Sequence, residues 1–250
     1  MSSLPQFPYI LLDVAEKIID QLNGDNPSLR SCTLTCRGWH PRARYHLMAS
    51  IRIRSREDLS SIYDYFCCNP LLAGVVRNLS IAPDDSESNP LFLLQAIPVF
   101  LLSRLPNIRR YSIGHRFLHT GIALHASTLK CINTYLHVEE LGLGPLSFCT
   151  LPELARLLLA LPRLRRLGCT DLNIRPPTAT TTAVGTNRFR DRCRLSEVDV
   201  WNTSIRVVGL IAQISLSSLA VLRVDLDRFA ELPGLEPDVG WVDGMLSSFD

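Results

Sequence analysis

Apolar residues return along this chain in one short pattern, apolar-x-x-apolar-x-apolar. It is met at Met48-Ile51-Ile53, Val76-Leu79-Ile81, Ile108-Tyr111-Ile113 and Val138-Leu141-Leu143. It returns at Leu164-Leu167-Cys169, Leu195-Val198-Val200 and Leu219-Val221/Leu222-Val224. Successive starts lie 28, 32, 30, 26, 31 and 24 residues apart, a recurrence too regular for chance in a leucine-rich chain. The alternating end of each unit predicts a short strand. Between strands, helical spacing appears at Asp58 to Phe66, Leu91 to Leu105, Leu151 to Leu161 and Ser204 to Ile214. Two of these runs enter a proline, at Pro106 and Pro162, which cannot continue a helix. Strand and helix alternating at this period predict an α/β solenoid, leucine-rich-repeat-like, with short parallel strands on one face and helices on the other.

The same pattern sorts side chains by direction. The first, fourth and sixth places point inward, and the places between them face solvent on the inner sheet surface. That surface is predicted to carry Arg77, Arg109, Arg110, Glu139, Glu140, Arg165, Arg166, Glu197, Asp199, Arg223 and Asp225. Charge alternates along it in patches, which suits one particular protein target better than a uniform polyanion. Two polar segments interrupt the repeat: Pro83 to Pro90, a loop by composition, and Arg175 to Arg192, an insertion with Pro176-Pro177 and a threonine run. Residues 231–250, rich in proline and glycine, form a tail or a C-terminal cap.

Before Met48 the repeat is absent. Ile10 to Leu22 reads as a turn and an amphipathic helix with Asp13 as N-cap, stopped by Gly24. Asn26-Pro27-Ser28 starts a second helix, and a third runs from about Arg37 to Met48 with Pro41 in its first turn. Three short helices are a small unit with little core of their own, usually stabilised by a neighbour or a partner.

Composition sharpens this picture. Leucine fills 42 of 250 positions, as a repeated strand–helix unit requires, and 26 basic against 24 acidic residues leave a formal +2. So small an excess points to neither nucleic acid nor membrane. The longest apolar stretch, Leu91 to Leu102, is too short to span a bilayer, and no signal peptide is read at the N-terminus. Eight cysteines without framework spacing are expected as small buried hydrophobes in a reducing compartment, cytoplasmic or nuclear. Only Lys17 and Lys130 are lysines.

The run Ile10-Leu11-Leu12-Asp13 through Leu22, followed by Ser28-Leu29-Arg30-Ser31-Cys32-Thr33-Leu34-Thr35-Cys36-Arg37-Gly38-Trp39, resembles an F-box. Pro41 to Leu47 looks like the version common in fungal F-box proteins. The resemblance covers residues 4–48, and its most specific part is Cys32-x-Leu34-x-Cys36-Arg37-x-Trp39. The family's opening Leu-Pro is replaced here by Ile10-Leu11. The resemblance implies a substrate-recognition subunit of a cullin–RING ubiquitin ligase. Residues 4–48 would dock on the Skp-type adaptor and the repeats, 48–230, would hold the target. Carried over by position, adaptor contact falls to Ile10, Leu11, Val14, Ile18, Leu29, Cys32, Leu34 and Trp39.

No enzyme is expected. The chain lacks Gly-x-Ser-x-Gly, a phosphate-binding glycine loop ending in lysine, and a cysteine with a credible histidine partner. Cys32 and Cys36 are one helical turn apart but have no matching second pair, so neither metal nor cofactor is expected. The alternative is a leucine-rich-repeat interaction scaffold outside any ligase, its N-terminal helices acting only as a solenoid cap.

Overall fold

A computed structural model describes residues 11–84, 87, 89–101, 104–114, 122, 124–174 and 189–225. Ile10, most of the 175–192 insertion and the 231–250 tail therefore lie outside the described residues.

The chain opens with three helices: α1 (Leu12–Gln21), α2 (Asn26–Thr35) and α3 (His40–Ala49). Leu11, not Asp13, occupies the N-cap of α1; Asp13 sits in the first turn, where its charge still suits the helix dipole. Asp25 caps α2, its carboxylate accepting the Ser28 N–H at 3.2 Å. α3 begins at His40 rather than Arg37 because Cys36 is extended and residues 37–39 form a turn. Pro41, which lacks an N–H, is then accommodated in the first turn. Ile19, Leu29, Cys32 and Ala43 form a small core, with Leu22, Trp39 and Leu47 packed on it.

α3 runs straight into a parallel sheet. Its strands alternate with helices along the chain: β1 (Ser50–Ile53), α4 (Arg56–Cys68), α5 (Pro70–Ala73), β2 (Asn78–Ile81), α6 (Pro90–Phe100), β3 (Arg110–Ile113), α7 (Ala126–Ile132) and β4 (Glu140–Leu143). There follow β5 (Leu146–Phe148), α8 (Leu151–Leu159), β6 (Arg166–Thr170), β7 (Leu172–Ile174), β8 (Glu197–Trp201), α9 (Ile205–Ile214) and β9 (Val221–Val224). The main sheet has seven strands in the order β1-β2-β3-β4-β6-β8-β9, so it is open, with β1 and β9 at its edges. β5 and β7 pair separately as a short parallel ribbon.

All seven apolar motifs lie in the main sheet and share one register. Ile51, Leu79, Tyr111, Leu141, Leu167, Val198 and Leu222 stand side by side across it, as do Ile53, Ile81, Ile113, Leu143, Cys169, Val200 and Val224. The ambiguity at the last unit falls to Leu222. These rows face the helices, and one continuous core runs from Ile53 to Leu219. On β9 Leu222 and Val224 stay half-buried because no further strand follows among the described residues.

The helices start where capping residues stand. Ser55 accepts the Asp58 N–H at 3.1 Å, Asn89 the Phe92 N–H at 3.2 Å, and Glu153 the Thr150 N–H at 3.1 Å. α8 ends at Leu159, just before Pro162 as that proline predicts, whereas α6 ends at Phe100, short of the expected Leu105 and with Pro98 inside it. α7 and the β5–β7 ribbon have no counterpart in the sequence reading; α7 is short and β5 and β7 have three residues each, too few to show a period.

Candidate functional site

Two surfaces stand out, one on each part of the molecule. On α1, two apolar stripes run side by side. Ala15 and Ile19 turn inward, fully buried, while Leu11, Val14 and Ile18 face solvent at 65%, 46% and 45% exposure. A helix of a small isolated unit needs only one such stripe. Leu34 of α2 is 88% exposed and Leu12 is about half exposed, so α2 as well as α1 turns an apolar side chain to solvent. Leu12 is not among the positions the F-box resemblance carries over, and it lies outside the i, i+3, i+7 run of Leu11, Val14 and Ile18.

Leu29 and Cys32 are buried and hold α2 in the small core, so in this conformation they face no partner. This corrects their expected place among contact residues. Their i, i+3 spacing puts both on the side of α2 that meets α3. Trp39 is half-buried, one part of the ring on the core and the rest accessible. The rotation of α1 is tied down by Asp20. Its carboxylate takes Arg42 Nε at 2.5 Å and Nη2 at 2.7 Å, and His46 Nε2 lies 2.8 Å away. Hydrogen bonds from Arg42, then His46, hold the Asp20 carboxyl well below the usual carboxylate range.

The second surface is the solvent face of the main sheet. Ser50, Asn78, Arg110, Glu140, Arg166, Glu197 and Val221 form one row across the strands, and Arg52, Ser80, Ser112, Gly142, Gly168, Asp199 and Arg223 the next. Much of the charge there is paired between neighbouring strands. Arg110 meets Glu140 at 2.8 Å, Arg166 meets Glu197 at 3.8 Å, and Arg223 bridges Glu197 and Asp199 at 2.8 Å each. The alternation of sign seen in the sequence thus becomes a ladder of intramolecular ion pairs over the later strands. Arg77 turns its guanidinium to the Gly74 carbonyl at 2.8 Å. Arg109, Glu139 and Arg165 stand exposed just ahead of β3, β4 and β6, and Asp225 follows β9 with its N–H on the Val200 carbonyl at 2.9 Å.

Trp201 also lies on this face and is more than half exposed. Alternation from Glu197 through Asp199 to Trp201 was a sufficient signal to place it there.

The cysteines divide. Cys169 and Cys193 are buried, and desolvation pushes their thiols up to about 12 and about 11, which leaves them unreactive. Cys36, Cys67 and Cys68 are exposed, contrary to the expected burial: Cys36 stands in extended backbone at the end of α2, and α4 buries Leu59 and Phe66 and turns its last residues outward. Among the described residues no three His, Cys, Asp or Glu side chains come together to hold a metal ion, and no helix is long and apolar enough to cross a membrane. Compared with protein-family models and with curated proteins, the chain matches none.

Proposed function

We propose that the chain is a non-catalytic substrate-recognition subunit of a cullin–RING ubiquitin ligase. In this reading α1–α3 are an F-box-like unit that docks on the Skp-type adaptor, and the sheet with its helices is a leucine-rich-repeat-like solenoid that holds a protein target. The observation that carries the reading is the outward apolar stripe of Leu11, Val14 and Ile18 on α1, together with the exposed Leu34 of α2. Covering those four side chains, each already partly buried by its neighbours, contributes about 1 kcal/mol apiece. Association itself costs at least ~4 kcal/mol, so the stripe is an anchor and a wider interface must supply the surplus. The absence of any linker between Ala49 and Ser50 supports the same reading, since it would hold adaptor and target in fixed relation.

The test is co-expression with the adaptor, followed by native purification. The wild-type chain is expected to co-purify, and Ile18→Asp to abolish this while leaving circular dichroism and melting unchanged. The lysine count makes a second readout simple. Lys17 lies exposed beside Ile18, and Lys130 lies exposed on α7. Acetylation is expected to spare Lys17 in the complex and still reach Lys130. A folded chain that fails to co-purify, or equal labelling of both lysines, sinks the reading.

The direct passage of α3 into β1 favours one rival, in which the helices only cap the sheet edge. Deleting residues 1–47 separates the two: collapse of the sheet supports the cap, and a folded remainder that no longer binds the adaptor supports docking.

A further inference from the structure

The two ends of the sheet face are not electrically alike. Across β6, β8 and β9 the charges Arg166, Glu197, Asp199 and Arg223 satisfy one another. Across β1–β3 the solvent-facing positions are the half-buried Ser50, Asn78, Ser80 and Ser112 and the exposed Arg52 and Arg110, with Arg77 and Arg109 just ahead of β2 and β3 and Arg54 just beyond β1. No Asp or Glu occupies any of these positions. Arg110 is engaged by Glu140 at 2.8 Å, Arg77 by the Gly74 carbonyl, and Asn78 donates to Ser50 Oγ at 2.8 Å. Arg52 and Arg109 make no ion pair among the described residues.

We propose that this β1–β3 half of the sheet face binds an acidic segment of a protein partner, through carboxylates that meet Arg52 and Arg109. The inference deepens the target side of the reading above and rests on it only in calling that partner a ligase target. Three neighbouring strands span about 10 Å, one Debye length at ordinary salt, so the guanidinium groups act as one positive patch. Guanidinium takes a carboxylate through two parallel N–H donors, and Ser80 and Ser112, in one row with Arg52, add hydroxyl donors. These short side chains also leave the floor low enough for an extended chain to approach.

The borders of the patch favour a short acidic peptide over a nucleic acid. Glu139 and Glu140 close it on the β4 side, and Asp84 closes it beyond β2, its N–H on the Arg54 carbonyl at 3.1 Å. A phosphate backbone would run on into these carboxylates, whereas three or four acidic residues, at ~3.3 Å each, end before them.

The test uses the full chain and fluorescence anisotropy with a labelled peptide rich in Asp and Glu. Its controls are the same peptide with amides in place of acids, a phosphoserine version and single-stranded oligothymidylate. The acidic peptide is expected to bind, and binding to weaken as salt rises towards ~0.5 M. Arg52→Gln with Arg109→Gln is expected to weaken it about tenfold, and Arg223→Gln to change it less than about twofold. Equal binding of the amide peptide, equal loss from Arg223→Gln, or binding of only the phosphoserine peptide or the oligonucleotide overturns the proposal. Adaptor co-purification does not involve this face. A chain that binds the adaptor but not the acidic peptide therefore overturns this inference alone, and the converse result overturns only the ligase reading.

Discussion

In the three-helix unit, Ile19, Leu29, Cys32 and Ala43 form a small core beside the buried Ala15, while Leu11, Leu12, Val14, Ile18 and Leu34 face water. In the sheet, by contrast, each inner strand sends two apolar side chains into a core shared with both neighbours, and the face left to solvent is mostly polar, Trp201 and Val221 excepted. The contrast teaches that burial in this chain follows repetition. A unit that recurs beside copies of itself always finds something to pack against. The helices before it have no such copy beside them, and among the described residues nothing covers their second apolar stripe.

Substitutions in the shared core are expected to do the most damage. Leu141→Ala removes a fully buried side chain between β3 and β6 and should cost about 3 kcal/mol, read from the midpoint of chemical denaturation. Ile19→Ala, in the small core, should cost about 2 kcal/mol or more. Its effect should appear in hydrogen exchange of α1–α3 and leave β2–β8 protected; loss of protection throughout would show that the two cores are one cooperative unit.

A pH effect comes next. Asp20 has its acidity raised by Arg42 and His46, so it contributes stability that is present above the carboxylate's unfolded pKa of about 3.9. That contribution is lost as pH falls below this value towards the depressed folded one. Amide protection of α1 and α3 should therefore fall on acidification from about pH 4, while Asp20→Asn starts lower and loses less. The smallest effect is expected at the ion ladder. Arg223→Ala removes two exposed pairs and should leave the melting midpoint where it was, because exposed ion pairs are worth little.

How much of this was legible beforehand differs by region. The strands were, since seven copies of one motif reinforce each other and the register of Leu79, Tyr111, Leu141 and Leu167 follows from aligning them. Most helix positions followed from prolines and caps, although α6 stops five residues short of Leu105 and keeps Pro98 inside it. α7 and the β5–β7 ribbon escaped because seven-residue and three-residue elements carry no readable period. On the N-terminal surface, Leu11, Val14, Ile18 and Leu34 were nominated and are exposed, whereas Leu29 and Cys32 were nominated and are buried. Residue type could not separate them, because each is apolar and each sits on an apolar stripe of its helix.

Local chemistry written along the chain thus settles where strands begin, which of their side chains point together, and that the first helices stand outside the repeat. It does so because alternation and periodicity are properties of neighbours in sequence. Which stripe of α1 meets α3 is a different kind of fact. It depends on Asp20 reaching Arg42 and His46, two residues brought close only when the helices pack. The same holds on the sheet, where alternating charges far apart in sequence become partners at 2.8 Å in one half and, among the described residues, leave Arg52 and Arg109 without an ion pair in the other. Electrostatic partnership is set by distance in space, and the fold alone supplies that distance.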